Sequence, residues 1–352
     1  MPAYDEQEYT KSFDIKIWKR LGPYLRPRRR AFVLLIVLNL LTALVDAALP
    51  LFQRYAVAHF IEAGTLSGLW PFAIAYFAAI LMQSLAVMGF GNVSMGIEMY
   101  LGRDLRRRLF THLQELSFSF YNVTPVGYLI SRVMNDTNRI AGMLAWNLAD
   151  MLWALCYIIF VFISMLLLNW KLAIVVILVV PVVALLTAYF QNRILHWNRR
   201  VRKLSSRITG AFNEGIMGAK TSKTLVIEGA NDKEFEDLTG QARDSGVKAE
   251  KLSAVYIPLV LFCSTLAVAI VLYQGGHMSL DGVLGLSTLS AFVTYAVGIF
   301  APVQILAEDL AVFISLQANI ERVTGLLATE PDVRDSEAVR EKYGAAFHPK
   351  RE

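Results

Sequence analysis

Six stretches of the chain are nearly unbroken apolar runs, at residues 31–58, 70–91, 142–168, 172–190, 255–273 and 283–306. Each is close to or above the ~20 residues a helix needs to cross the hydrocarbon core of a bilayer. The pattern therefore predicts an all-α membrane protein with six transmembrane helices. Pro50, Pro181, Pro258 and Pro302 fall inside or near the ends of these runs. Spanning helices tolerate proline because neighbouring helices satisfy the carbonyls it frees.

Between the runs the helical period continues in polar surroundings. Leu101, Leu105, Leu109, Leu113 and Leu116 form one stripe, with Arg103, Arg106, Arg107 and Arg108 around it. As continuous helix, residues 92–114 project about 30 Å beyond the membrane at 1.5 Å per residue. A turn at Pro125 and Gly127 follows, and Leu129, Val133, Ile140 and Leu144 then return at helical intervals. The second long connection repeats the design. A basic helix continues through 193–207, the glycines of 213–221 mark a turn or short helix, and 235–252 climbs back. Two hairpins are predicted, at about 92–141 and 191–254. Small and apolar residues stand where their tips should be exposed: Phe120, Tyr121, Val126, Ile216 and Met217. They suit docking of another protein, whereas a bundle of the hairpins with one another is the plainer alternative.

Charge fixes the expected orientation. Of 34 Lys and Arg, all but Arg54 and Lys171 lie in residues 1–30, 103–139, 193–251 and 322–351. Positively charged loops stay in the cytoplasm, so both termini and both hairpins are expected inside. Ahead of the first run, Phe13, Ile17, Trp18, Leu21, Tyr24 and Leu25 recur at helical spacing, which suits a helix lying at the headgroups. Gly22-Pro23 and Pro27 argue against a simple extension of the first span.

Composition agrees with this class: the 352 residues are 55% hydrophobic and 18% charged, with a mean hydropathy of +0.46. The sequence pI near 9.1 is explained by basic residues flanking spans, so nucleic acid is not an expected partner. Residues 1–30 contain no leading apolar core, so no cleavable signal peptide is expected. Cys156 and Cys263 are isolated in apolar runs and read as unpaired thiols. The five histidines lack metal-ligand spacing, and no metal or catalytic residue is expected. Asn92-Val93-Ser94 and Asn122-Val123-Thr124 match glycosylation sequons but fall on the cytosolic or membrane side.

Taken in order, Phe120-Tyr121-Asn122, Gly127-Tyr128-Leu129-Ile130-Ser131-Arg132 and Asn135-Asp136-Thr137 resemble the first coupling-helix segment of ATP-binding-cassette (ABC) exporters of the type IV, multidrug and lipid half-transporter kind. Glu214-Gly215-Ile216-Met217-Gly218-Ala219-Lys220 is similar to the second. Ala318-Asn319-Ile320-Glu321-Arg322-Val323, followed by Leu326-Leu327 and Glu330-Pro331-Asp332, resembles the end of that family's sixth helix. The resemblance covers nearly the whole chain. It implies a cytoplasmic start with an elbow helix (1–30), a six-helix transmembrane domain (31–328) and a linker (329–352) toward a nucleotide-binding domain. It further implies dimerisation with a second, identical or different, transmembrane half. Its coupling residues are Phe120, Tyr121, Asn122, Val126, Gly127 and Arg132 at the first tip, and Glu214, Gly215, Ile216, Met217 and Gly218 at the second. The bacterial plasma membrane is the expected location.

ATP and Mg are expected on nucleotide-binding domains, not here. A phosphate loop needs G-x-x-x-x-G-K-[ST], and no Gly-Lys pair occurs in the 352 residues. Met217-Gly218-Ala219-Lys220-Thr221 lacks its spacing. The sequence is expected to be a fragment, or its ATPase a separate polypeptide, and the polar tail favours truncation.

Polar side chains within spans are costly and tend to face a cavity or another helix. Asp46, Gln53, Gln83, Gln304 and Glu308 are the candidates for lining a path for an amphiphilic, lipid or peptide substrate. Arg54, Asn147, Asp150 and Asp309 share the feature. Helix-to-helix hydrogen bonding is the plainer reading for any single one. Phe292, Tyr295 and Phe300 would add apolar contacts or face lipid. An ion-coupled secondary transporter or channel would also use intramembrane acids, and a non-transporting scaffold would also use docking tips.

Overall fold

The computed structural model describes residues 15–331. Phe13 and Asp332 lie outside the described residues, as do the first part of the expected cytoplasmic start and most of the expected linker. Among the described residues the chain is helical throughout, without a strand. The elements are α1 (Ile15–Arg20), α2 (Gly22–Leu25), α3 (Arg29–Ala56), α4 (Leu69–Glu115), α5 (Phe118–Val123), α6 (Val126–Ser131) and α7 (Thr137–Ala145). They continue with α8 (Asn147–Leu168), α9 (Trp170–Met217), α10 (Ala219–Leu225), α11 (Glu228–Leu280), α12 (Leu286–Gly298) and α13 (Phe300–Ala328). Among the described residues six helical stretches are long and apolar enough to cross a membrane; they contain the first five predicted runs, and the sixth run starts at 283, three residues ahead of the last stretch.

Local chemistry explains the boundaries. A 3-10 turn at Arg26–Arg28 joins α2 to α3. Pro23 and Pro27 stand in the first turns of their short segments, where a missing N–H costs nothing. Asn169 caps α9, its side-chain oxygen accepting from the N–H groups of Lys171 and Leu172 at 3.1 and 3.3 Å. Pro50, Pro181 and Pro258 lie inside α3, α9 and α11. Two segments, Val57–Glu62 and Arg132–Asp136, widen into π-helix. The third span is broken at Trp146 (φ −114°) into α7 and α8, a division the continuous apolar run concealed.

The described chain forms two compact units. One comprises residues up to 41, 84–152 and from 309 on; the other comprises 42–83 and 153–308. In the first unit the leucine stripe is the core. Leu101, Leu105, Leu109, Leu113 and Leu116 are buried with Ile17, Leu21, Leu129, Ile140, Leu144, Leu316, Ile320 and Val323. The amphipathic start is thus packed through Ile17 and Leu21, and Trp18 stacks on Phe313 with ring centroids 3.8 Å apart. In the second unit α9 and α11 run beside each other over most of their length. Their 48 and 53 residues correspond to roughly 70–80 Å, more than twice the ~30 Å hydrocarbon core. Its core is built from Val161, Met165, Leu172, Val176, Val271, Phe292, Tyr295 and Ile299. Phe292, Tyr295 and Phe300 are therefore buried packing residues, neither lipid-facing nor lining an opening. Many other apolar side chains of the spans point outward, among them Val33, Ile74, Phe77, Leu85 and Leu178, as expected where the surrounding solvent is lipid.

Candidate functional site

The first tip is built by α5 and α6. Ser117 and Pro125, both extended, start the two short helices, and extended Thr124 separates them. Gly127 lies within α6, not in the turn; the reversal is made by Thr124 and Pro125. The tip is fastened from below. Leu129 is buried, Phe120 packs on the leucine core, and the Tyr121 hydroxyl donates to the carbonyl of Leu113. The outward surface is mainly apolar: Phe118 is 90% exposed, Val126 65% and Ile130 58%, with Ser119 and Asn122 exposed between them.

Arg132 does not belong to that exposed surface. It is buried, its guanidinium 2.7 Å from Asp136 and over the Tyr128 ring at 4.3 Å. Burial alone lowers the pKa of an arginine. Hydrogen bonds and charge from Asp136 and Tyr128 together outweigh it, and the net shift is upward.

The second tip begins later than the glycines indicate. Glu214, Gly215, Ile216 and Met217 form the last turn of α9. Gly218 breaks the helix (φ −90°, ψ 7°), its N–H donating to the Glu214 carbonyl at 2.7 Å. A Cβ at 218 would lie 2.8 Å from that carbonyl oxygen, so the bend needs glycine. The cross-piece is α10, and Val226 ends it in the left-handed region (φ 54°), a strained state for a β-branched residue. Met217 is 88% exposed and Val226 81%. A cleft of about 710 Å³ opens here, lined by Phe212, Ile216, Ala219, Lys223 and Phe235 among others. The exposed Leu225 and Val226 were missed in the sequence. With Ile227 they form an apolar triplet in a polar stretch, which was the available signal.

Asp46, Gln53, Arg54, Gln83, Asn147, Gln304, Glu308 and Asp309 are partnered within their own unit. Gln83 donates to Asp46 at 2.5 Å, and the Trp153 indole N–H donates to the other carboxylate oxygen at 3.0 Å. Gln53 accepts from Thr294 at 3.1 Å. Glu308 accepts from Gln304 at 2.9 Å and from Gln191 at 3.0 Å. Arg54 donates to Thr288, and in the first unit Asn147 donates to Asp309. Bonds between helices account for these contacts in this conformation, except that of Gln304 with Glu308, which lies within α13. Gln53 and Glu308 remain exposed while bonded. Among the described residues no group of three or more His, Cys, Asp or Glu is arranged to hold a metal.

Residues 32–303 match the family described as ABC transporter transmembrane region. The chain belongs to this family. Among its relatives is "Putative multidrug export ATP-binding/permease protein YgaD" of Bacillus subtilis (strain 168), 25% identical over 87% of this chain and 54% of the relative. "Uncharacterized ABC transporter ATP-binding protein YfiC" of the same organism is 27% identical over 94% of this chain and 54% of the relative. "ATP-dependent lipid A-core flippase" of Syntrophus aciditrophicus (strain SB) is 24% identical over 91% and 53%. This ABC transmembrane chain spans about half the length of the curated relatives it matches. With six helices long and apolar enough to cross a bilayer, it is an integral membrane protein.

Proposed function

We propose that this chain is the membrane-spanning half of an ATP-driven exporter. With a second half, identical or different, it encloses the substrate path. It takes its driving motion from nucleotide-binding domains, which bind ATP and Mg, through coupling elements at the two tips. Both tips and both termini face the cytoplasm, in a bacterial plasma membrane on this reading. The observation that carries it is the exposed apolar surface at the end of each hairpin, in a chain of this family. Such side chains have no reason to face water unless a partner covers them. Phe118, Val126 and Ile130 form one docking surface; Met217, Leu225 and Val226 form the other. Gln53 and Glu308, with Asp46, Gln83 and Gln304, are the polar groups available to a substrate once their present bonds open. Relatives named for multidrug export and for lipid A-core flipping support an amphiphilic substrate.

The test uses the assembled transporter with its nucleotide-binding domains, reconstituted in liposomes. Val126→Asp and Met217→Asp should each lower transport of a fluorescent phospholipid or of ethidium per ATP hydrolysed. A loss of about five- to 150-fold corresponds to coupling free energies of ~1–3 kcal/mol. An unchanged ratio for both variants refutes the reading.

A further inference from the structure

Two motifs from the sequence meet in the first unit, the last part of the first coupling-helix segment and the stretch around Arg322. Arg132 and Asp136 open and close the π-helical segment after α6, whereas Asn319 and Arg322 lie in α13. Asp136 Oδ2 accepts from Arg132 Nη1 at 2.7 Å and from Arg322 Nε at 3.0 Å. Arg322 Nη2 reaches Oδ1 at 3.5 Å and donates to Asn319 at 2.5 Å. Side-chain exposure is 9% for Arg132, 5% for Asp136 and 16% for Arg322. One carboxylate thus holds two largely buried guanidinium groups from segments 186 residues apart.

Apolar packing around this cluster already brings Leu316, Ile320 and Val323 of α13 against the leucine stripe. Such contacts are non-directional and tolerate a slide or rotation of one helix on the other. A buried ion cluster does not: every displaced register leaves a charge without its partner, and the best-attested use of such groups is to fix register. The π-helical turn, a feature frequent at functional sites, contains both Arg132 and Asp136 and directly follows α6.

We infer that Asp136 is a positioning residue that locks the first tip in register with the C-terminal half of α13, so that displacement of the tip moves that helix as one body. Its role in coupling rests on the function proposed above; the fastening itself does not. The experiment uses the assembled transporter without native cysteines, spin-labelled at Ser119→Cys on the tip and Gly325→Cys on α13. Ser119 is exposed and lies outside the docking residues, and no atom crowds a Cβ at 325. In the parent, the label-to-label distance should stay narrow and unchanged between nucleotide-free and ATP–vanadate-trapped states. Asp136→Asn should broaden it and lower transport per ATP by about fivefold or more, the lower end of coupling between linked sites. Asp136→Glu should restore part of both, which general loss of fold would not explain. Should Asp136→Asn fail to accumulate, Arg322→Lys, which keeps the charge but loses the fork, should broaden the distribution. A parent distance that changes on trapping overturns the inference, as does a distribution left narrow by Asp136→Asn or by Arg322→Lys. If the label distances behave as expected while Val126→Asp and Met217→Asp leave the transport ratio intact, the fastening stands and the coupling reading falls.

Discussion

Leu109→Ala separates a water-driven core from lipid-facing surface on one helix. Leu109 is 0% exposed and packs among the leucines of α4 and the apolar residues of α7 and α13. It lies 18 residues beyond Gly91, about 27 Å along the helix axis and outside the apolar run. Its alternative environment is therefore water, and removing three carbons forfeits about 0.8 kcal/mol each in transfer free energy. The cavity left between helices held on several sides adds to this, for a total of about 3 kcal/mol within the usual Leu→Ala range. Leu85, on the same helix but in the apolar run and 61% exposed, has lipid or detergent as its surroundings. Leu85→Ala should cost less than ~1 kcal/mol, because no transfer from water is lost. Thermal unfolding in one detergent–lipid mixture, followed by tryptophan fluorescence, reads both variants. At roughly 2–4 °C per kcal/mol for a chain somewhat smaller than this one, Leu109→Ala should lower the midpoint by about 6–12 °C. Leu85→Ala should lower it by at most about 4 °C on the same scale. Equal shifts for the two variants would mean that the stripe is not a core facing away from water.

Two further predictions follow from packing and orientation. A Cβ at Gly298 would stand 2.8 Å from the hydroxyl of Tyr157, a buried ring stacked on Trp153; Gly298→Ala should cost about 1–3 kcal/mol, and Tyr157→Phe should recover most of it in the double variant, whereas purely additive losses in the melting midpoint would contradict the geometry. In a background of Cys156→Ala and Cys263→Ala, Val126→Cys and Met217→Cys should react with an impermeant maleimide only from the cytoplasmic side and Ser67→Cys only from the other; labelling in the reverse sense removes the basis for the orientation.

Much of the architecture was legible because membrane spans are written locally. An apolar run of twenty residues carries its own meaning, and the leucines every third or fourth position from 101 to 116 marked the buried face of α4 correctly. The tips were harder. Pro125 announced a turn, but Gly127 beside it turned out helical. The glycines at 215 and 218 gave no sign of which one bends the chain; only a carbonyl pressing on position 218 decides it. The polar residues of the spans could be named but not paired. Whether Asp46 faces an opening or meets Gln83 and Trp153 depends on residues 37 and 107 positions away. The burial of Arg132 was hidden for the same reason: its counter-charge, Asp136, is local, but Arg322, which completes the buried cluster, is not.

The stack of Trp18 on Phe313 bears on how the molecule is made. Roughly 300 residues separate the two rings, and ribosomes add about 5–20 residues per second. Something like 15–60 s must pass before the earliest helix meets its seat. During that interval Ile17, Leu21 and the leucines of α4 lack their last partner, so an interrupted polypeptide displays a greasy stripe to chaperones and proteases. Burial of that stripe is thus complete only after the final helix has been made.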